Sequence, residues 1–560
     1  MLDDQSIQRQ HVPVERFPDP ANRPDLVHAL PELHYPERLN AATGFVDRHV
    51  EAGRGDAPAI HFEGETITYA DLQERVDRLG NALRGVGVEP GERVFVRFPN
   101  RPEFAVGVLA TQKVGAIPVP SMKLLQAKEV THVVEDAGTT TALVHDGLLD
   151  PVEAAMAESD ALETVVVADR AGVDHDYRDY DALVADAAPA LDTADTRRDD
   201  LSMLAYTSGT TGRPKGTIHT HRQMLAIADG YARYCLDPSP DDVFTGNPPL
   251  AFTFGYGMLV AFPLRFGAST VLVQDPGPDD LLDAVEAHDV TVIGSIPTAY
   301  NELLGDHADR LTDVDASSLR LGVSAGEPLP PSTFEGIEDA LGIELLDGIG
   351  TTEMLHIFVS HRDGDDVDPS ATGFPVPGYE CKVVDPDSGE AADRGEAGLL
   401  AVRGPTGVDY WDRPDEQAGA VRDGWSVPGD VFVYRDDGRF EYKSRRGDLI
   451  IASGYNVPGP EVENVLQERE EVYVAAVVGS PDGQGGTVVK AFVVTAESHD
   501  PSPDLTDSLQ SHVKERIAPY KYPREVEYVD DLPTTETGKI RRERLRERER
   551  ERYGGVAGGR

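Results

Sequence analysis

Between residues 68 and 293, short β-branched runs alternate with stretches of helical periodicity. Residues 94–96, 117–119, 165–167, 271–273 and 290–293 read as strands, with helices at 103–114 and 279–288. Thr68 and Asp71 form a capping-box pattern ahead of Leu72, Val76, Leu79 and Leu83 at helical spacing, with Gly85 placed to stop that helix. Strand, helix and strand in repeated succession need crossover connections, so largely parallel sheets are predicted. The pattern changes near residue 395. Residues 398–403 and 432–434 are short strands with turn residues between them, as in an antiparallel region or small barrel. After about residue 445 a separate α+β unit is expected, with strands at 472–478, 488–494 and 526–529 and a helix at 505–517. The fold class is therefore α/β: a large N-terminal lobe of parallel-type sheets with helices, a small β-barrel-like subdomain, and a small α+β C-terminal domain.

At 560 residues the chain can bury a sizeable core distributed over several lobes. Its net charge of −47, from 99 acids against 52 bases, would repel a phosphate backbone, and no basic patch stands out before the extreme C-terminus. Nucleic acid is not an expected partner. Only ten of the bases are lysines, and the acids are spread over the whole chain, as on a salt-adapted, halophilic surface. In molar salt the Debye length falls to roughly 3 Å, which makes such self-repulsion tolerable. Cys235 and Cys381 cannot make a disulfide framework or a four-thiolate zinc site. The N-terminus has no signal pattern, and the apolar stretch 257–273 is broken by Pro263 and Arg265. A cytoplasmic protein without membrane insertion is expected, as a monomer or homodimer. Residues 541–552 alternate Arg and Glu and read as a solvated helix, with disorder expected beyond it.

The most informative segment follows the apolar run 201–205: Tyr206, Thr207, Ser208, Gly209, Thr210, Thr211, Gly212, Arg213, Pro214, Lys215, Gly216. Small residues let backbone N–H groups approach an anion, hydroxyls donate further hydrogen bonds, and the lysine adds a point charge. This is a phosphate cradle. Pro-Lys-Gly replaces the Gly-Lys-Ser/Thr of a Walker A loop, so an ordinary P-loop NTPase is not indicated.

The segment resembles the phosphate loop of the adenylate-forming superfamily, which comprises acyl-CoA synthetases, luciferases and amino-acid-activating domains. Further motifs follow in the family's order. Asp347-Gly348-Ile349-Gly350-Thr351-Thr352-Glu353 resembles its second core motif, and Gly429-Asp430 its ribose-binding aspartate. Ser444-Arg445-Arg446-Gly447-Asp448 resembles its hinge, Ser453-Gly454-Tyr455-Asn456 the loop after it, and Pro533-Thr534-Thr535-Glu536-Thr537-Gly538-Lys539 its C-terminal lysine motif. Ser324-Ala325-Gly326-Glu327-Pro328 resembles the stretch beside the adenine. The resemblance implies an N-terminal extension (1–38), an AMP-binding domain (39–443), a hinge (444–448), a mobile C-terminal domain (449–542) and a charged tail (543–560).

By that resemblance Thr207 to Lys215 hold the β- and γ-phosphates of ATP, Thr352 contacts the α-phosphate, and Glu353 holds Mg²⁺. A carboxylate beside two threonine hydroxyls is a suitable hard-oxygen ligand for that ion. Asp430 can accept both ribose hydroxyls through its two oxygens, and Arg445 can donate to ribose or phosphate. Lys539 would stabilise charge as the carboxylate attacks, and Ser453 and Gly454 would line the pantetheine tunnel for coenzyme A. Three departures stand out: Ile349 occupies a position where the family usually has tyrosine, Gly447 one where many members have aspartate or lysine, and Ser444 replaces a common glycine.

Residues 248–257 fall where the family builds its acyl pocket, and they supply Phe252, Phe254 and Tyr256 without a carboxylate. This argues against a free amino acid as substrate. Together with residues 350–358 the segment resembles the aryl branch, the benzoate and 2-aminobenzoate CoA ligases. His356 is expected on a helix face, with a pocket position as the alternative. The implied activity is an ATP-dependent acid–CoA ligase making an acyl-AMP and then a thioester from a small aromatic carboxylic acid. A short- or medium-chain fatty acid ligase, a luciferase-type oxidase and a catalytically silent nucleotide-binding protein are the alternatives.

Overall fold

The computed structural model describes the chain except residues 1, 3, 171–176, 208–213, 453–454, 482–486, 497–498, 535–539 and 555–560. The large lobe holds two sheets with a shared core. A five-stranded parallel sheet runs in the order Ile117–Pro120, Arg93–Arg97, Thr141–His145, Thr164–Ala168 and Arg178–Asp179. The second sheet has nine strands. Its parallel centre is Glu344–Gly350, Leu321–Ala325, Val292–Ser295, Val243–Gly246, Ser269–Val271 and Pro58–Phe62, with antiparallel strands added at both edges. The alternation read from the sequence thus forms the expected parallel sheets.

Helices Tyr69–Gly85 and Pro102–Lys113 pack against each other within this lobe. The first is capped by Thr68 and Asp71 as predicted. It ends at Gly85, but the left-handed residue that turns the chain away is Gly87, at φ 100°. The second is buried on all sides except at Glu103, which explains its nearly continuous apolar sequence. Its last residue, Lys113, is buried and held by Asp47 at 2.8 Å and Asp77 at 2.6 Å.

The barrel-like region is a six-stranded antiparallel sheet containing Ala397–Arg403, Asp430–Tyr434 and Phe440–Arg445. A short helical turn, Arg446–Asp448, leads into the hairpin Leu449–Ala452 and Tyr455–Pro458. The C-terminal unit then pairs Val472–Pro481, Thr487–Thr495 and Glu525–Tyr528. Helix Arg542–Gly554 corrects one expectation, because it is not solvated along its whole length. It packs on this sheet, with Leu545 and Glu549 buried. Glu549 accepts from Ser480 Oγ at 2.7 Å and pairs with buried Lys490 at 2.9 Å. The disorder expected beyond it concerns residues outside those described. No helix among the described residues is long and apolar enough to cross a membrane.

Candidate active site

Antiparallel strands Leu201–Thr207 and Lys215–Thr220 flank the glycine- and hydroxyl-rich segment, with Thr207 opposite Lys215. Ser208, Gly209, Thr210, Thr211 and Gly212 lie outside the described residues. The second strand is fastened to residues 409–411: Ile218 N donates to Asp409 O, and Trp411 N to Gly216 O, both at 2.8 Å. This brings Tyr410 to Lys215. The ammonium lies 5.9 Å from the Tyr410 ring centre and 3.6 Å from the Glu416 carboxylate. Lys215 and Glu416 line a cleft of about 640 Å³ together with His132 and Arg413.

Tyr410 Oη donates to Glu353 Oε1 at 2.8 Å. Burial, and next to it Glu353, pushes the Tyr410 phenol up, so it stays a donor. Glu353 sits in the turn between strands Glu344–Gly350 and Ile357–Ser360. A Cβ on Gly350 would come within 2.7 Å of the His356 backbone, so this turn requires glycine there. Leu355, fully buried, is held at φ 69°. Such a conformation costs on the order of 1 kcal/mol for a branched side chain and persists where its surroundings impose it, commonly at functional sites. Thr352 is buried in the same turn, its backbone meeting the imidazole of His219, whose pKa burial lowers to about 3.

Arg445 and Asp430 are partners across two strands, with Nε 3.2 Å from Oδ1. The guanidinium is pushed up chiefly by Asp430, with Tyr442, Glu353 and Asp448 also within its field. Lys215, Tyr410, Glu353, Arg445 and Asp430 are thus linked into one polar cluster drawn from four separate parts of the sequence.

On the adjoining sheet Ser324 pairs with Asp347, and Ala325 with Gly348. Asp347 Oδ1 and Ser324 Oγ are enclosed with no hydrogen-bond partner among the described residues. Desolvation pushes the Asp347 carboxyl up to about 7. Unsatisfied polar atoms near the carboxyl ends of parallel strands suit a ligand with its own donors, such as a nucleotide base. Gly326 turns the chain at φ 97°, just before Pro328, and Glu327 accepts from Thr298 Oγ1 at 2.7 Å. Ile349 is half-buried against the core, and Thr351 caps the turn by accepting from Met354 N at 3.2 Å.

The aromatic segment is a short helix, Thr253–Tyr256, preceded by half-buried Phe252. Phe254 meets His356 at a ring separation of 5.7 Å, and Tyr231 and Phe262 complete the surround at 5.3 and 4.6 Å. Tyr256 is buried in the core beside Gln112. His356 is not on a helix; it stands at the entry to strand Ile357–Ser360, fully enclosed, with burial lowering its pKa to about 3. A Cβ on Gly257 would lie 2.2 Å from its Cδ2, so glycine makes room for this ring.

Gly447 lies in the turn Arg446–Asp448 with nothing within 4 Å of the place a Cβ would take. Ser453, Gly454 and Lys539 lie outside the described residues. Reading the motifs missed Tyr410 and Glu416. They precede and open a short helix, Pro414–Ala420, and no spacing ties them to Glu353 or Lys215.

A hairpin flanking the glycine- and hydroxyl-rich segment, a strained turn carrying a carboxylate and a paired Asp–Arg on a second sheet are in keeping with an adenylate-forming enzyme. Residues 46–409 match the AMP-binding enzyme family and residues 461–539 its C-terminal domain. The chain belongs to that family, among its AMP-forming acid–CoA ligases. It is 37% identical over 519 residues to benzoate–CoA ligase of Thauera aromatica, covering 92% of this chain and 97% of that one. Its fold is similar to that of the anthranilate CoA ligase AuaEII in complex with anthranoyl-AMP, at a TM-score of 0.89 and 31% identity, over 94% of this chain and all of the other. A benzoate CoA ligase from Burkholderia xenovorans LB400 gives 0.83 and 34%, over 91% and 99%.

Proposed function

We propose that this enzyme joins an aromatic carboxylic acid to coenzyme A, using ATP and Mg²⁺, in the cytoplasm. The observation that carries the aromatic preference is the ring cluster of Phe254, His356, Phe262 and Tyr231 beside the Thr352–Glu353 turn. An apolar ring buried there gains roughly 25 cal/mol per Å². Neutral His356 adds no charge, and residues 248–257 supply no carboxylate for an amino-acid ammonium.

In the first half-reaction a carboxylate oxygen attacks the α-phosphorus, and the bond to pyrophosphate breaks. Thr207 and Lys215 hold the β- and γ-phosphates and Thr352 the α-phosphate, while Asp430 and Arg445 orient the ribose. Glu353 would hold Mg²⁺, which neutralises phosphate charge when bound. A single carboxylate suits an ion that completes its shell from phosphate and water. Lys539 supports charge at the transferring phosphorus. The C-terminal domain, 449–542, then turns about 444–448, and Ser453 and Gly454 admit the pantetheine. The thiol sulfur attacks the acyl carbonyl, its proton passes to solvent, and AMP departs.

CoA-dependent AMP formation over a panel of aromatic and aliphatic acids tests this reading. Benzoate-like acids are expected to give the highest kcat/KM. Acetate or a medium-chain acid exceeding every aryl acid would overturn the substrate class, and no pyrophosphate release with any acid would overturn catalysis.

A further inference from the structure

Two ion pairs bracket the turn at Gly447. Before it, Arg445 is held by Asp430 of the large lobe at 3.2 Å. After it, Asp448 accepts from Arg546 Nη1 at 2.5 Å, with both side chains mostly covered. Arg546 belongs to helix Arg542–Gly554, whose first residue is clamped in turn: Arg542 donates to Glu463 at 3.0 and 2.5 Å, and Glu463 also accepts from Val477 N at 2.7 Å. The same helix follows directly on the lysine motif. Thr534 bridges to Ile540, and Arg541 N donates to Pro533 O at 2.6 Å, so the chain on either side of residues 535–539 is tied together at its base. Leu545 is buried against Ala476, Val478, Phe492 and Leu532, which fixes the helix to its sheet.

We infer that Arg546 is a positioning residue for adenylate formation, acting through Asp448 to lock the segment bearing Lys539 to the small-lobe side of the pivot. Arg446 N also donates to Gly429 O of the large lobe at 2.9 Å, so the geometry leaves Gly447 as the pivot before anchored Asp448. The described base of the lysine motif, Pro533 and Thr534 with Ile540 and Arg541, is then held at a fixed offset from the hinge through helix Arg542–Gly554. Without the Asp448–Arg546 contact the offset loosens. A displacement of about 1 Å can cost up to about 10²-fold in rate, even when the altered residue lies far from the chemistry. This inference rests on the reading of Lys539 given above.

The test uses the full-length enzyme with Arg546→Ala, Arg546→Lys, Asp448→Asn, the Asp448→Asn/Arg546→Ala double variant and Lys539→Ala. Pyrophosphate release reports the first half-reaction, and thioester formation from supplied acyl-AMP and CoA reports the second. We expect Arg546→Ala and Asp448→Asn each to lower the first rate about tenfold, with the second within about threefold of wild type. The double variant should be no worse than either single one. Arg546→Lys should recover most of the loss. Lys539→Ala should lose more, about 10²- to 10³-fold, in the first step alone. If Lys539→Ala is impaired but Arg546→Ala and Asp448→Asn adenylate like wild type, the positioning role is wrong and the reading of Lys539 stands. Equal loss in both half-reactions, tracking a fall in thermal midpoint, would make the pair merely structural and overturn the inference. Normal adenylation by Lys539→Ala would remove the reading of that lysine and this inference with it. Asp448→Asn preserves shape, so the comparison survives if Arg546→Ala fails to fold.

Discussion

Tyr410 donates its phenol proton to Glu353 from a loop 57 residues further along the chain, and the same ring stands beside Lys215. One side chain thus sets both the carboxylate expected to meet the metal and the cation expected to meet the phosphates. Tyr410→Phe removes the hydrogen bond and keeps the ring. Hydrogen bonds to charged groups are worth roughly 1.5–3 kcal/mol, so KM for Mg·ATP should rise about tenfold or more, with little change in KM for the acid. Initial-rate kinetics at varied ATP and fixed acid measure this. An unchanged KM for ATP would show that Glu353 needs no such support.

Gly257 is in contact with His356, and a methyl group there would collide with the imidazole. Gly257→Ala should displace the ring and cost about 1–3 kcal/mol at the aromatic cluster, as overpacking usually does. The expected signature is a fall in kcat/KM for aryl acids with KM for ATP nearly unchanged. Equal effects on both substrates would mean that the cluster does not serve the acid.

Asp347 carries a carboxyl raised to about 7 by desolvation. Its pKa in the folded protein exceeds that of the unfolded chain, so the folded state holds the extra proton. The stability it contributes is present below about pH 4 and is lost as pH rises towards 7. Without nucleotide, Asp347→Asn should therefore melt a few degrees higher than wild type at pH 8, with the gap closing towards pH 4. Melting curves across that range provide the check, and a gap that widens on acidification would contradict the assignment.

The net charge of −47 predicts that salt stabilises the fold. Screening weakens repulsion among exposed carboxylates far more than it weakens buried pairs such as Lys113 with Asp47 and Asp77. Thermal midpoints should climb from low to molar KCl. A flat or falling series would refute a salt-adapted surface.

Parallel sheets and the first helix cap were legible because their signals are local: alternation, spacing and a Thr–Asp pair three residues apart. His356 stands among Met354, Leu355, Ile357 and Phe358, and such an apolar setting does not separate a helix face from a turn entering a strand. What decides its place is non-local, namely the closure of the turn on Gly350 and the space left by Gly257. The charged tail misled for a related reason, since its Arg–Glu alternation conceals the buried Leu545 and Glu549. The expected phosphate-loop, ribose and hinge positions rest on motifs alone. Tyr410 belongs to none of them, and nothing in the chain announces the residues it joins.

Buried Glu549 also fixes an order of events during synthesis. Its partner Ser480 lies 69 residues earlier, and Lys490 stands in the neighbouring strand. While the chain is still emerging, that strand offers Phe492 and an ammonium to water until Glu527, and then Glu549, has followed. The large lobe can close around its two sheets as soon as it leaves the ribosome, whereas the smaller one must wait for its final helix. A nascent chain stalled inside that interval carries a closed large lobe beside an unfinished smaller one, which makes this stretch a point where chaperones and proteases have surface to act upon.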